Sequence, residues 1–145
     1  MPEIKEIPSV ETFTVRHPVL RPGKPLETCR FDGDDLTTTT HFGLFEDADM
    51  RGVASLFRNS HPGFREDRQF QLRGMAVLED YQGFGYGRQL VGICEDQARR
   101  AAGELIWFNA RENAIGFYET LGYRITGKAF LINGIGMHYV MFKRI

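Results

Sequence analysis

The stretch from Leu72 to Ala102, LRGMAVLEDYQGFGYGRQLVGICEDQARRAA, constrains the fold more than any other part of the chain. It reads as a strand, a glycine-rich turn and a helix. Phe70, Leu72, Ala76 and Leu78 alternate with Gln71, Arg73, Met75 and Val77, which is the pattern of a β-strand. Both sets contain apolar residues, so the strand is expected to be central and covered on both faces. Leu90, Val91, Cys94, Ala98 and Ala101 fall on one side of a helix, the side expected to be buried. On the other side, Glu95 with Arg99 and Asp96 with Arg100 have i,i+4 spacing, acid first. Between strand and helix stand Gly83, Gly85 and Gly87, one at every second residue. Glycines there let the backbone turn sharply and approach a ligand closely with its amides free. Those amides join the positive end of the helix dipole, and the result is an anion site suited to phosphate.

The residues narrow the choice of phosphate ligand. A nucleotide P-loop ends in Gly-Lys-Ser/Thr, whereas this turn ends in Gly87-Arg88-Gln89. The dinucleotide fingerprint is G-x-G-x-x-G, and here the spacing is G-x-G-x-G. Glu104 stands roughly where a ribose-binding acid would, but it precedes the next apolar run instead of ending it. A nucleotide-dependent oxidoreductase therefore remains an alternative on a poor fit. A tight loop with no ligand is the blander alternative, against which the regular glycine spacing at a helix start argues.

The segment from Met75-Ala76-Val77 through Gln82-Gly83-Phe84-Gly85-Tyr86-Gly87-Arg88 resembles the acetyl-coenzyme A motif of the GNAT N-acetyltransferases. That motif is an apolar strand end, a short linker, then Q/R-x-x-G-x-G/A opening a helix. A second block, Asn113-Ala114-Ile115-Gly116-Phe117-Tyr118-Glu119-Thr120-Leu121-Gly122-Tyr123, is similar to the family's asparagine, aromatic-rich helix and L-G-[FY]. The resemblance implies that the central strand and the strand Leu105 to Ala110 splay apart. The pantetheine arm would lie along the backbone of Met75, Ala76 and Val77. The pyrophosphate would sit on the amides of Gln82, Gly83, Phe84, Gly85, Tyr86, Gly87 and Arg88. Asn113, which by position alone is a helix N-cap, would also face the cofactor arm.

The resemblance also assigns the chemistry. Tyr118 sits in an apolar helical face with Ala114, Ile115, Phe117 and Leu121, the setting of a core tyrosine. By family position its hydroxyl lies beside the cofactor sulfur and protonates the departing thiolate. A strand-end N–H near Val77 would stabilise the developing oxyanion. Where some members carry a glutamate base on the central strand, this chain has Gln71. Glu79 and Asp80 close that strand, and Glu79 is the candidate base; taken alone, each reads as a solvated turn acid.

The remaining features set bounds. A chain of 145 residues with 42% hydrophobic content and twelve Phe is expected to be one domain, 1-145, with a real core. A net charge of −1 gives no electrostatic case for nucleic acid or an anionic membrane. Cys29 and Cys94 make no disulfide framework, and they suit reduced thiols in a cytoplasmic protein. No stretch is apolar enough to cross a membrane, and Met1 to Val10 lacks a signal-peptide core. Histidines 17, 41, 61 and 138 lack metal-ligand spacing, so no metal is expected, and His41 and His138 read as packing residues on strands.

In chain order, Pro2 to Ile7 reads as a strand. Ser9 is placed to cap a helix from Val10 to about Val19 that Pro18 ends or kinks. Arg21 to Asp35 reads as a long excursion. His41 to Phe45 and Arg51 to Leu56 form a hairpin, and Asn59 to Arg68 is a loop. Leu105 to Ala110 is a strand, Ala114 to Leu121 a helix closed by Gly122, and Tyr123 to Arg144 a final hairpin. The expected fold is α/β, with a mixed, splayed central sheet flanked by helices, as in the GNAT acyl-CoA N-acyltransferases. The implied activity is acetyl transfer from acetyl-coenzyme A to a small-molecule or peptide amine. Monomer and homodimer both remain open, and a coenzyme-A-binding sensor without turnover is the non-enzymatic alternative. Glu27, Asp32, Asp34 and Asp35 in the excursion would favour a cationic acceptor by charge alone.

Overall fold

Every expected strand forms in the computed structural model, which describes residues 1–145. They are β1 (Glu3–Ile7), β2 (Thr40–Glu46), β3 (Asp49–Arg58), β4 (Gln69–Val77), β5 (Leu105–Arg111), β6 (Arg124–Ile132) and β7 (Gly136–Arg144). All belong to one sheet in the order β1-β2-β3-β4-β5-β7-β6, and only β4 with β5 runs parallel. The helices are α1 (Phe13–Leu20), α2 (Tyr86–Arg100) and α3 (Ile115–Thr120). On one face α1 packs Val15 against Ile7, Val53 and Ala76. On the other, Leu90, Val91, Cys94 and Ala98 of α2 close the main core over Leu44, Leu56, Leu72 and Met141.

The central strand departs from simple alternation. Ser55 pairs with Arg73 but Val53 pairs with Ala76, so β4 carries one extra residue. Gly74, at φ 63°, absorbs it as a β-bulge. A bulge reverses which side chains face which side. Phe70 and Leu72 therefore share the main core with Val77, whereas Ala76 and Leu78 join the small cluster under α1. The expected set of Phe70, Leu72, Ala76 and Leu78 on one face is corrected accordingly; burial of both faces stands.

Other local expectations also change. α2 stops at Arg100, so Ala101 is an exposed cap and not part of the buried face. Glu95 turns to the Tyr123 hydroxyl and the Lys143 ammonium instead of Arg99, which pairs with Asp96. Ser9 does not cap; it opens a 3-10 turn and donates to Asp35 Oδ1 at 2.6 Å. Pro18 lies inside α1, which runs two residues further because Val19 and Leu20 pack on the sheet. Asn113 makes no capping hydrogen bond, as it sits within a 3-10 turn (Glu112–Ala114) ahead of α3.

The excursion is tied down from within. Arg16 is fully buried, and its Nη1 donates to Asp34 Oδ2 at 2.7 Å and to the Cys29 carbonyl at 2.8 Å. Its Nη2 reaches Asp34 Oδ1 and the Ser55 hydroxyl, and Ser55 in turn bonds His41. This network fastens α1 and the excursion to β2 and β3. A buried charge that loses its partner is strongly destabilising, whereas exposed pairs count for little. Asp34→Ala should therefore lower the unfolding free energy by about 3–5 kcal/mol in chemical denaturation. Asp35→Ala, which breaks an exposed pair with Arg30, should change it by less than about 1 kcal/mol.

Candidate functional site

The site begins where the sheet opens. β4 and β5 are paired only at Gln69–Leu105, Phe70–Ile106 and Gln71–Trp107, after which the strands separate. The edge of β4 from Leu72 onward thus faces a gap. Leu78 donates its N–H to Arg51 on β3 at 2.9 Å. Neighbouring residues of a strand present their backbone groups to opposite edges, so Val77 turns its own toward the gap. Gln82 Nε2 takes the Val77 carbonyl at 2.9 Å, and the Val77 N–H faces the opening.

A 3-10 turn, Glu79–Tyr81, leads from β4 to the glycine turn, and within it the Gln82 N–H is taken up by the Glu79 carbonyl at 3.3 Å. Gly83 and Gly85 have φ of 87° and 83°, a region that favours glycine, and a Cβ at either would meet nothing within 4 Å. The first helical bond of α2 runs from Gln89 N–H to the Gly85 carbonyl. The N–H groups of Tyr86, Gly87 and Arg88 are left without helix partners, aimed at open space. Tyr86 fixes this helix end, since its hydroxyl donates to Glu46 Oε1 at 2.7 Å on the β2–β3 hairpin. The same hydrogen bond raises the Tyr86 pKa.

Gap and turn form one cleft of about 730 Å³. The structure brings to it Met75, Ala76, Val77, Gln82, Gly83, Gly85, Tyr86, Gly87, Arg88, Asn113 and Tyr118. Phe84 is not among the lining residues, and its side chain is 67% exposed. Glu79 is not brought to the cleft either; it lies exposed in a 3-10 turn past the end of β4. No Asp or Glu lines the cleft, nor any Ser or Cys. Of the acids expected to attract a cationic acceptor, Asp34 is consumed by Arg16 and Asp35 by Ser9 and Arg30, and neither Glu27 nor Asp32 is among the lining residues. Glu104 stands at the opposite end of the sheet, before β5, where it pairs with Arg68. It has no place in a dinucleotide site on this turn.

Tyr118 is buried with its ring 4.2 Å from that of Phe108 and 5.0 Å from that of Phe117. Burial pushes its hydroxyl pKa well up, so it holds its proton through the neutral range. Cys94 is buried in the core beneath α2 and burial raises its thiol likewise, which makes it no nucleophile. The far wall of the cleft includes Arg21 and Phe31 of the excursion, with Arg73, Arg111 and His138, and it is these last three that sequence reasoning missed. His138 is buried and faces Arg111 across the β5–β7 ladder. Its Nδ1 donates to the Gly136 carbonyl at 2.8 Å, so the neutral ring keeps a lone pair on Nε2. A register between β5 and β7 is needed to find this pair. For Arg73, a charge on a doubly covered strand was the available signal.

The comparisons agree with this geometry. The acetyltransferase (GNAT) family pattern matches residues 4–123. The chain is 35% identical over 145 residues to the uncharacterized N-acetyltransferase YitI of Bacillus subtilis (strain 168), covering 100% of this chain and 97% of that one. Its fold is similar to the ribosomal-protein-S18-alanine N-acetyltransferase from Escherichia coli, with TM-score 0.78, 19% identity and coverage of 100% and 94% of the two chains. It is similar also to an aminoglycoside 6'-N-acetyltransferase complexed with coenzyme A, with TM-score 0.78, 13% identity and coverage of 98% and 96%.

Gly85→Val sets a β-branched side chain in the left-handed region and in the space before the free amides. The strain should cost about 1–3 kcal/mol of stability, leaving a folded protein. Calorimetry with coenzyme A should then show binding reduced beyond detection.

Proposed function

The chain belongs to the acetyltransferase (GNAT) family, and from that premise we propose that it transfers an acetyl group from acetyl-coenzyme A to an amine by direct attack in a ternary complex. The observation that carries this reading is that one cleft joins the unpaired β4 edge to the free amides at the start of α2, with the 3-10 turn Glu79–Tyr81 between them. An extended ligand with amide groups and a pyrophosphate fits both features: the arm beside Met75, Ala76 and Val77, the phosphates at Gln82 to Arg88. Acetyl-coenzyme A supplies the activated acyl group. The protein's part is to place it, to stabilise charge and to move protons.

Three groups divide that work. The Val77 N–H faces the gap, where it can bond the thioester oxygen as negative charge develops. Tyr118, kept neutral by burial, is the donor for the departing thiolate. His138 lines the cleft with its Nδ1 donating to the Gly136 carbonyl, which leaves Nε2 as an acceptor, and it takes the base role in place of Glu79, which does not line the cleft. Direct attack is supported because neither serine nor cysteine lines the cleft to carry the acyl group.

Turnover of acetyl-coenzyme A against a panel of amines tests the reading; binding without turnover of any amine would favour a sensor. Tyr118→Phe keeps the ring packed on Phe108 and removes the proton. It should retain coenzyme A affinity and melting temperature while kcat falls about a hundredfold to ten-thousandfold. His138→Gln should lower kcat/KM by about a hundredfold at neutral pH. That deficit should shrink as pH rises, because the amine then arrives already deprotonated.

A further inference from the structure

The wall of the cleft opposite the glycine turn carries three arginines that no carboxylate pairs with directly. Alternation along β5 puts Arg111 on the sheet face covered by α1, away from Phe108 and Ala110 in the main core. Arg73 lies on the same face, next to the bulge. The guanidinium of Arg73 stacks 4.7 Å from the Phe31 ring centroid and 5.3 Å from that of Phe57. That of Arg21 lies 5.4 Å from the Phe31 ring, and its Nη1 donates to the Leu20 carbonyl at 3.0 Å. Arg111 Nη2 lies 3.5 Å from that same carbonyl. The three arginines therefore converge around Phe31 and the end of α1.

None of the three forms a salt bridge; the nearby pair is Arg16 with Asp34. Asp34 and Asp32 are close enough to favour the charge on Arg73. Both Asp34 oxygens, however, are committed to Arg16, and Oδ2 also accepts from the Phe31 amide. Burial lowers the pKa of Arg73, and burial together with Arg111 lowers that of Arg21. Gathering like charges in a concave, partly dry surface is unfavourable without a counter-anion. Stacking on aromatic rings holds a guanidinium in place but leaves its in-plane donors unused. Those of Arg73 open onto the cleft, since none is sealed from solvent.

We infer that Arg21, Arg73 and Arg111 bind an anionic group on the acceptor, so that this enzyme acetylates amines that also carry a carboxylate or a phosphate. The inference rests on the acetyl-transfer reading and adds the substrate class. The planar forks of arginine match both anions in bidentate fashion. The wall lies on the α1 face of the sheet and the glycine turn opens α2 on the other, so the two anion sites are separate and the sheet gap joins them.

The test uses the full chain saturated with coenzyme A, so that the glycine turn is filled. Melting temperature is followed against inorganic phosphate and against succinate, with sodium chloride at matched ionic strength as the control. Wild type should show a saturable rise with at least one of the two anions, and the more effective anion identifies the group. Arg73→Met, which keeps the stem on Phe31, and Arg21→Gln should each weaken that response about tenfold or more. If Arg73→Met fails to fold, Arg21→Gln decides. A rise no greater than that with sodium chloride, or one unchanged in the folded variants, would overturn the inference. In turnover, glycine against glycinamide, and phosphoethanolamine against ethanolamine, give matched pairs. The anionic member should be preferred about tenfold or more in kcat/KM, and preference for the neutral members would sink the idea. Absence of coenzyme A binding would instead bring down acetyl transfer itself, so the two failures are distinguishable.

Discussion

Most of this molecule follows from one interruption: two parallel strands at the centre of a sheet pair over three residues and then part. An open edge of backbone amides inside a protein is costly unless something pairs with it. Here the cost is managed in pieces. The bulge at Gly74 turns β4, so that Met75 and Val77 stay rooted in the main core while the strand leaves β5. Gln82 caps the Val77 carbonyl with its side chain. α3 and the Phe108–Tyr118–Tyr123 aromatic cluster fill the widening gap from below. What is left over is the open edge of β4 and, past the hydrogen-bonded 3-10 turn Glu79–Tyr81, the unpartnered amides at the start of α2, and these two features make the site.

The parts of this plan written in local pattern were legible. Gly83, Gly85 and the helix behind them announce an anion turn by spacing alone, and the strands on either side are signalled by their apolar runs. Gly74 was also a signal, since an isolated glycine within a strand pattern marks a bulge, and strict alternation read straight through it. The rest depended on contacts distant in sequence. Arg16 sits in FTVRHPVL, where an arginine looks solvent-facing; its burial is decided by Asp34, which lies on the far side of the excursion. Of the four excursion acids, Asp34 and Asp35 are taken by Arg16, Ser9 and Arg30, partners that a count of charges cannot see. His138 and Arg111 meet only because β5 and β7 pair in one register. Composition likewise concealed the polarity of the cleft, for a chain of net charge −1 lines it with Arg21, Arg73, Arg88 and Arg111 and with no acid.

That polarity bears on catalysis as well as on selection. An amine attacks only when unprotonated, and the ammonium of the proposed acceptor would sit near three guanidinium groups that no carboxylate bonds. Like charge disfavours the charged form, which lowers the pKa of the bound amine. The proton is then easier to remove, which lightens the work of a base placed beside the amine. A carboxylate in the same place would bind the ammonium tightly and hold its proton on, stabilising the ground state more than the transition state. On the proposed acceptor the two ends of one molecule are treated oppositely, the anion held by arginines and the amine pressed to lose its charge. On that proposal the arginines would serve twice, selecting the acceptor by its anion and preparing its amine for attack.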